Sequence, residues 1–195
     1  MAQKGVLTTA DYLSEKHFNA LIDGLHNDKL YTWELFCRIA FCCALRCSDV
    51  LALKWCDILD KNEIIVTEIK TGKTRKIPVN ESVKHKIRQL YMLMGKPSTN
   101  QYIIYNPKSG TKYTIQTVNE KLKEFRVDYR IKIKNFSTHT FRKTFGRMVY
   151  EQSGKSAESL ILLNTIFKHA NIQTTKTYIG ITQDEISGVL NHVNF

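Results

Sequence analysis

The spacing of apolar residues predicts a chain built largely from amphipathic helices. A first helix is expected to begin after Ser14, whose hydroxyl is suited to capping, and to run to about His26 with one apolar face. Ser48 is expected to cap a further short helix. Apolar residues at helical spacing predict the remaining helices at about 32–45, 80–94, 115–129, 138–152, 156–168 and 183–193.

A change of period between residues 64 and 79 predicts a small sheet. Residues 64–66 and 76–79 are rich in β-branched side chains, and the basic segment 70–73 between them contains a glycine. This pattern is typical of an antiparallel hairpin with a basic tip. Residues 102–105 are expected to form a short extended piece. The fold class is therefore mainly α with a small antiparallel β-sheet (α+β), in one domain over residues 1–195.

The composition indicates an anionic binding partner. The 195 residues are 43% hydrophobic, which is enough for a core, and carry 29 Lys and Arg against 18 Asp and Glu, for a net charge of +11. The excess favours a nucleic acid or a membrane surface, and its spread along the chain indicates a basic face rather than a tail. Because no apolar run approaches the ~20 residues of a membrane span and the first residues do not resemble a signal peptide, we expect a cytoplasmic protein without a membrane partner.

The five cysteines all lie between residues 37 and 56. An odd number crowded into one apolar segment, without a C-x-x-C pair, argues against a disulfide framework and against a zinc site. We interpret them as buried thiols that serve as small apolar side chains. No metal site and no cofactor is predicted.

Four separate pieces of the chain carry candidate chemistry. Arg46 stands in a break between two apolar helices, and Lys70 lies on the hairpin. His139 and Arg142 are three residues apart, which places them on one helix face. His169 precedes Tyr178 by nine residues. Taken singly, each has a plain structural interpretation: a turn with a surface arginine, a solvated turn, a common helical spacing and a packing tyrosine.

In this order the four pieces resemble the phage-integrase family of tyrosine recombinases. The family's T-G-L-R box is matched by residues 44–50, its strand–Lys–turn hairpin by residues 70–78, its H-x-L-R-H motif by residues 139–143 and its L-G-H…Tyr motif by residues 167–178. The chain departs from the commonest pattern at Phe141 for Leu, Lys143 for His and Phe167-Lys168 for Leu-Gly. None of these changes removes a residue that the family's chemistry requires.

The resemblance implies a site-specific DNA recombinase that cleaves and rejoins strands through a 3′-phosphotyrosyl link, without metal or ATP. Tyr178 would be the nucleophile and His139 the general base. Lys70 would be the general acid, with Lys73 as the alternative. Permanent cations would stabilise the phosphate in the transition state, with a further hydrogen bond from histidine, and an acidic residue would support the basic groups by hydrogen bonding. These roles fall to Arg46, Arg142, His169 and Asp49.

The other basic residues are candidates for contacts with the phosphates of duplex DNA, which set affinity and register without reading bases. For any single one, a solvated helix face is an equally good interpretation. The candidates are Lys73, Lys121, Lys123, Arg126, Arg130, Lys132, Lys134 and Lys143.

The resemblance also implies partners beyond double-stranded DNA. The short segment after Tyr178 has an apolar stripe, which would dock on a neighbouring protomer of a homotetramer on paired sites or pack on its own domain. Accessory DNA-bending proteins are a further expected class of partner. Most family members carry an N-terminal helical domain that clamps DNA, and we expect that domain to be absent from these residues. The chain is then either a fragment or similar to the small single-domain inversion recombinases. A prokaryotic, phage or other mobile-element protein associated with the nucleoid is expected.

Two alternatives stay open from the sequence. A type IB topoisomerase-like enzyme would share the tyrosine, arginine and histidine chemistry, but the His169–Tyr178 spacing favours a recombinase. A DNA-binding regulator on the same fold, without activity, would be expected to lack at least one catalytic residue, and none is missing.

Overall fold

A computed structural model describes residues 10–181, which contain nine helices and one two-stranded sheet. The predicted fold class is confirmed, whereas the helix predicted at 183–193 lies outside the described residues. In chain order the elements are α1 (Glu15–Asn27), α2 (Tyr31–Cys42), α3 (Cys47–Val50), α4 (Trp55–Ile58), β1 (Glu63–Thr67), β2 (Thr74–Pro78), α5 (Glu81–Leu93), α6 (Ile115–Asp128), α7 (Thr138–Gln152), α8 (Ala157–Phe167) and α9 (Ile172–Tyr178).

Side-chain caps begin many of these helices, as the sequence suggested. Ser14 accepts a hydrogen bond from the amide of His17, and Asn171 does the same for Thr174 at the start of α9. The cap predicted at Ser48 is wrong. The N-cap of α3 is Arg46, which makes no side-chain cap hydrogen bond, and Ser48 lies within the helix.

Three helices, α2, α4 and α9, differ from the prediction because tertiary contacts, not periodicity, define them. Helix α2 ends at Cys42 and not near residue 45, because the chain enters the left-handed region at Ala44, with φ of 47°. The short helices α4 and α9 were not predicted. Each is too short for an apolar period to show, and α9 is largely polar. Residues 102–105 form only isolated bridges, to Lys54 and Lys112.

The predicted hairpin is present, and its inner face is buried. Ile64 pairs with Ile77, and Thr67 pairs with Thr74. Ile64 and Val66 are buried while their neighbours in β1 are exposed. The basic loop that joins the strands therefore projects from an anchored pair of strands.

The core consists of two clusters, and the smaller one contains the candidate nucleophile. The main cluster surrounds α2, where Phe36 and Phe141 meet edge to face. The smaller cluster lies under α8 and α9 and includes Leu163, Phe167 and Tyr178. Gly146 on α7 permits this packing, because a Cβ there would lie 2.8 Å from the Phe167 ring.

The cysteine interpretation is correct for three of the five thiols. Cys37, Cys43 and Cys47 are buried, and burial raises the pKa of each. It is wrong for Cys42 and Cys56, which are exposed.

Within residues 10–181, no helix has both the length and the apolar character needed to span a membrane.

Replacing Lys168 by glycine is expected to stabilise the protein by about 1 kcal/mol, because Lys168 ends α8 in the left-handed region, which glycine occupies without a Cβ penalty. Urea denaturation measures the change. The matched control is Lys123→Gly, at an exposed position inside α6, which should destabilise by about 1 kcal/mol. Equal losses in both variants would contradict the assignment of strain at Lys168.

Candidate active site

Two arginines from distant parts of the chain meet at the C-terminal end of α8. Nη2 of Arg142 donates to the carbonyl oxygen of Phe167 at 2.8 Å, and Nη2 of Arg46 approaches the same oxygen at 3.5 Å. Nη1 of Arg142 donates to the carbonyl of Ala44. The last carbonyls of a helix lack partners within the helix and carry partial negative charge, so they favour guanidinium groups. The fold thus brings together the arginines of two separate motifs.

The buried carboxylate of Glu68 holds Arg46. Oε2 of Glu68 accepts from Nη1 of Arg46 at 2.7 Å and from the hydroxyl of Thr71 at 2.8 Å, while Oε1 accepts from Arg75 at 3.3 Å. Burial raises the pKa of Glu68, but hydrogen bonds from Thr71, Arg46 and Arg75 outweigh it and leave the pKa below its usual value. Glu68 is therefore ionised at neutral pH.

The sequence did not lead us to Glu68 or Arg75, although the alternation of side chains along β1 pointed to Glu68. Ile64 and Val66 are the inward positions of β1, and the period of two places Glu68 on the same face. A carboxylate in that phase would be buried and would need cationic partners.

Asp49 lies beside the hairpin loop. It is 1% exposed, and its Oδ1 accepts from the amide of Ile69 at 3.0 Å and from the hydroxyl of Ser48 at 3.4 Å. Oδ2 is buried without a hydrogen-bond partner among the described residues. We expected Asp49 to bond the basic groups of the site. Its observed bonds instead hold the backbone next to Lys70.

Tyr178 is almost entirely buried, and we call the side chains around it the tyrosine pocket. The hydroxyl oxygen of Tyr178 lies 3.3 Å from Nδ1 of His139, and the residue is only 6% exposed. The ring of His169 lies 5.0 Å from that of Tyr178, and Nζ of Lys143 lies 5.4 Å from the centre of the same ring. Tyrosine, both histidines and both arginines are therefore neighbours.

Burial sets the protonation states of Tyr178 and His139. It raises the pKa of Tyr178 to about 12, against the opposing effect of Arg142 and Arg46. It lowers the pKa of His139 to about 4, and the positive charges of Arg142 and Lys143 act in the same direction. At neutral pH the tyrosine keeps its proton, and the uncharged histidine has a ring nitrogen able to accept it.

A chain of hydrogen bonds fixes His169. The hydroxyl of Thr175 donates to Oδ1 of Asn164 at 2.9 Å, so it accepts from Nδ1 of His169 at 3.0 Å. Nε2 of His169 is thus an acceptor while the ring is neutral and a donor only when the ring is protonated. Burial, with Arg142 and Arg46, lowers its pKa to about 4.

Lys70 and Lys73 are exposed on the hairpin loop and are not brought into contact with the tyrosine pocket. The charge of Lys70 nevertheless contributes, after burial and the two arginines, to the lowered pKa of His169. Lys70 is therefore close enough to act on the site electrostatically.

The predicted DNA contacts are placed in different surroundings. Lys143 is buried at the tyrosine pocket, while Lys123 is exposed on α6. Lys121 pairs with Glu124. Arg126 donates to the carbonyl of Lys134 at 2.6 Å, and it lines a basic pocket of about 430 Å³ with Lys123 and Lys134. Arg130 and Lys132 lie in and after the turn that ends α6.

Comparison with known proteins assigns the family. The sequence profile of the phage integrase family matches residues 11–185, and the chain belongs to this family of tyrosine recombinases. The resemblance stated from the sequence is confirmed.

Among curated relatives, the probable integrase/recombinase YoeC of Bacillus subtilis is 33% identical over 141 residues, which cover 72% of this chain and 73% of that protein. A probable integrase/recombinase of Acholeplasma phage L2 is 30% identical over 152 residues, or 76% of this chain and 48% of the relative. Tyrosine recombinase XerH of Campylobacter jejuni is 20% identical over 186 residues. The chain spans about half the length of the latter two.

Solved structures show the same fold. XerH recombinase bound to palindromic difH substrate, in a post-cleavage complex, superposes with a TM-score of 0.71 at 16% identity and covers 95% of this chain and 54% of its own. The Tn1549 transposon integrase in complex with a circular intermediate DNA gives 0.67 at 19% identity, covering 98% of this chain and 68% of its own. The lambda integrase bound to DNA gives 0.63 at 16% identity, covering 92% and 62%.

The low pKa of His139 predicts a stability that falls in acid. The unfolded chain binds a proton near the ordinary histidine pKa of about 6.5, whereas the folded protein resists until about pH 4, so stability is lost as the pH falls through that window. Between neutral pH and about pH 5, the free energy of unfolding of the variant His139→Gln should fall by about 1–2 kcal/mol less than that of the parent. Urea denaturation at both pH values measures this. Equal losses in the two proteins would contradict it.

Proposed function

We propose that this chain supplies the catalytic domain, over residues 1–195, of a site-specific recombinase that cleaves and rejoins duplex DNA through a 3′-phosphotyrosyl intermediate. The observation that carries the proposal is the contact of Tyr178 with His139, beside two arginines gathered from distant segments. The solved structures of family members bound to DNA support double-stranded DNA as the substrate.

Arg46 and Arg142 bind the scissile phosphate in this mechanism. Burial lowers the pKa of Arg142 to about 10, which still leaves the group charged at neutral pH. The non-bridging oxygens gain negative charge in the transition state, and each well-placed fixed donor is worth roughly 10²–10³ in rate. His169 adds a donor once the phosphate raises its pKa and its Nε2 is protonated.

The proton transfers follow the same geometry. As the Tyr178 oxygen attacks phosphorus, its proton passes to Nδ1 of His139, and the bond from phosphorus to the 5′-oxygen breaks. Lys70, with Lys73 as the alternative, donates a proton to that leaving oxygen. Rejoining runs in reverse: the 5′-hydroxyl attacks phosphorus and gives its proton back to Lys70, the bond from phosphorus to the tyrosine oxygen breaks, and His139 returns its proton to Tyr178.

The free protein is not poised for this reaction. Proton transfer from a tyrosine of pKa about 12 to a histidine of pKa about 4 is strongly unfavourable. A bound phosphate favours the protonated form of His139, because its negative charge raises the histidine pKa. DNA binding therefore makes His139 a stronger base toward Tyr178.

Assembly completes the proposal. The segment after residue 181, outside the described residues, would dock on a neighbouring protomer in a homotetramer on paired sites, aided by accessory DNA-bending proteins. Lys73, Lys121, Lys123, Arg126 and Lys143 are proposed as further DNA contacts, and Asp49 as a support of the Lys70 loop. The relatives come from bacteria and a phage, which supports a mobile-element protein acting at the nucleoid.

The protein is expected to form a covalent adduct with nicked duplexes from a randomised pool, in EDTA, that survives detergent. Tyr178→Phe should abolish the adduct, because the nucleophilic oxygen is lost, while Tyr91→Phe on α5 serves as the matched control and should retain it. Gel electrophoresis of labelled DNA detects the adduct, and sequencing of trapped DNA identifies the site. An adduct that persists in Tyr178→Phe would refute the assignment.

Lys70→Ala should lower the rate of cleavage about 100-fold on an ordinary duplex, since the leaving oxygen then lacks its proton donor. A duplex with sulfur in place of the bridging 5′-oxygen should restore the rate, because a thiolate leaves without protonation. Lys73→Ala is the control on the same loop. If Lys73→Ala, and not Lys70→Ala, slows cleavage of the ordinary duplex and regains the rate on the sulfur-containing duplex, the general acid is Lys73.

A further inference from the structure

The loop that carries Lys70 is tied down by two buried carboxylates. Asp49 accepts from the amide of Ile69 at 3.0 Å. The side chain of Glu68 accepts from the hydroxyl of Thr71, and its backbone carbonyl accepts from the amide of Gly72 at 2.8 Å. Lys70 thus lies in a short exposed segment whose flanking positions are anchored.

The same Glu68 carboxylate holds the phosphate-binding arginine. One atom, Oε2, accepts from both Thr71 on the loop and Arg46 at the start of α3. Arg75 occupies the other oxygen and also donates to the carbonyl of Cys43 at 3.3 Å. Glu68 is fully buried, so no water can replace either partner without rearrangement.

We propose that Glu68 is a positioning residue that couples the Lys70 loop to Arg46, so that the proton donor and the phosphate clamp are set together. This inference rests on the proposed function. Because a single oxygen carries both contacts, a displacement of the loop changes the position of Arg46, and a displacement of Arg46 loosens the loop.

The test on DNA uses Glu68→Gln, which keeps the side-chain volume and removes the charge. On the duplex recovered from the randomised pool, it should cut the cleavage rate about 100-fold. The duplex with sulfur in place of the bridging 5′-oxygen should raise the cleavage rate of Glu68→Gln about tenfold. Its thiolate leaves without a proton from Lys70, but the phosphate still requires Arg46. Complete recovery, no recovery or no initial loss would each overturn the coupling.

The matched control is Glu34→Gln. Glu34 is also fully buried and also binds two basic groups, His26 and Arg38, but on α2 and away from the tyrosine pocket. It should destabilise the fold and leave the cleavage rate of the folded protein unchanged. A rate loss equal to that of Glu68→Gln would mean that neutralising any buried carboxylate disturbs the site, and would overturn the inference.

A second measurement needs no DNA and separates this inference from the proposed function. Hydrogen exchange of the free protein should show the amides of residues 69–72 exchanging about tenfold faster in Arg46→Gln, although Arg46 does not bond that loop directly. Arg38→Gln, which removes a partner of Glu34, is the control and should leave the loop unchanged. Unaltered loop exchange in Arg46→Gln would overturn the coupling, even if wild-type protein cleaves DNA.

Discussion

The hydrogen bonds from Arg142 and Arg46 to the carbonyl of Phe167 organise the candidate site, because they join three segments that are far apart in sequence. Both carbonyls bound by Arg142 are freed where a helix gives way to the left-handed region, at Ala44 itself and at Lys168 after Phe167. Helix ends leave such oxygens without partners, and guanidinium groups satisfy them. Terminating these helices and orienting the arginine are therefore one structural event.

Burial has two effects on the tyrosine pocket. Tyr178 is part of the smaller core cluster, and the same dry surroundings raise its pKa and lower those of His139 and His169. The site also gathers three arginines, Arg46, Arg75 and Arg142, around the ionised carboxylate of Glu68. A buried excess of cations is costly by itself, and an anionic phosphate relieves it. The free state is thus stable and unreactive, and the expected substrate changes both properties.

The hairpin shows how a strand can deliver chemistry to a helical domain. Its inward residues Ile64 and Val66 join the core, and Glu68 continues their phase into the arginine cluster. The alternation was readable from the sequence, but the pairing of Glu68 with Arg46 was not, because these two residues meet only in the folded chain. Lys143 is a similar case: the sequence offered it as a candidate DNA contact, and only the fold places its Nζ over the Tyr178 ring.

The sequence by itself determined the long helices and the hairpin, because helical period and turn residues are local properties. The six candidate catalytic residues remain predictions that rest on the resemblance to the family. Helix α7 was predicted to the residue, and Ser14 as a cap was correct. Only the tertiary structure decided the early end of α2, the short helices α4 and α9, and the shared oxygens of Phe167 and Glu68. These features have almost no local signal, since each depends on hydrogen bonds between residues that meet only when the chain is folded.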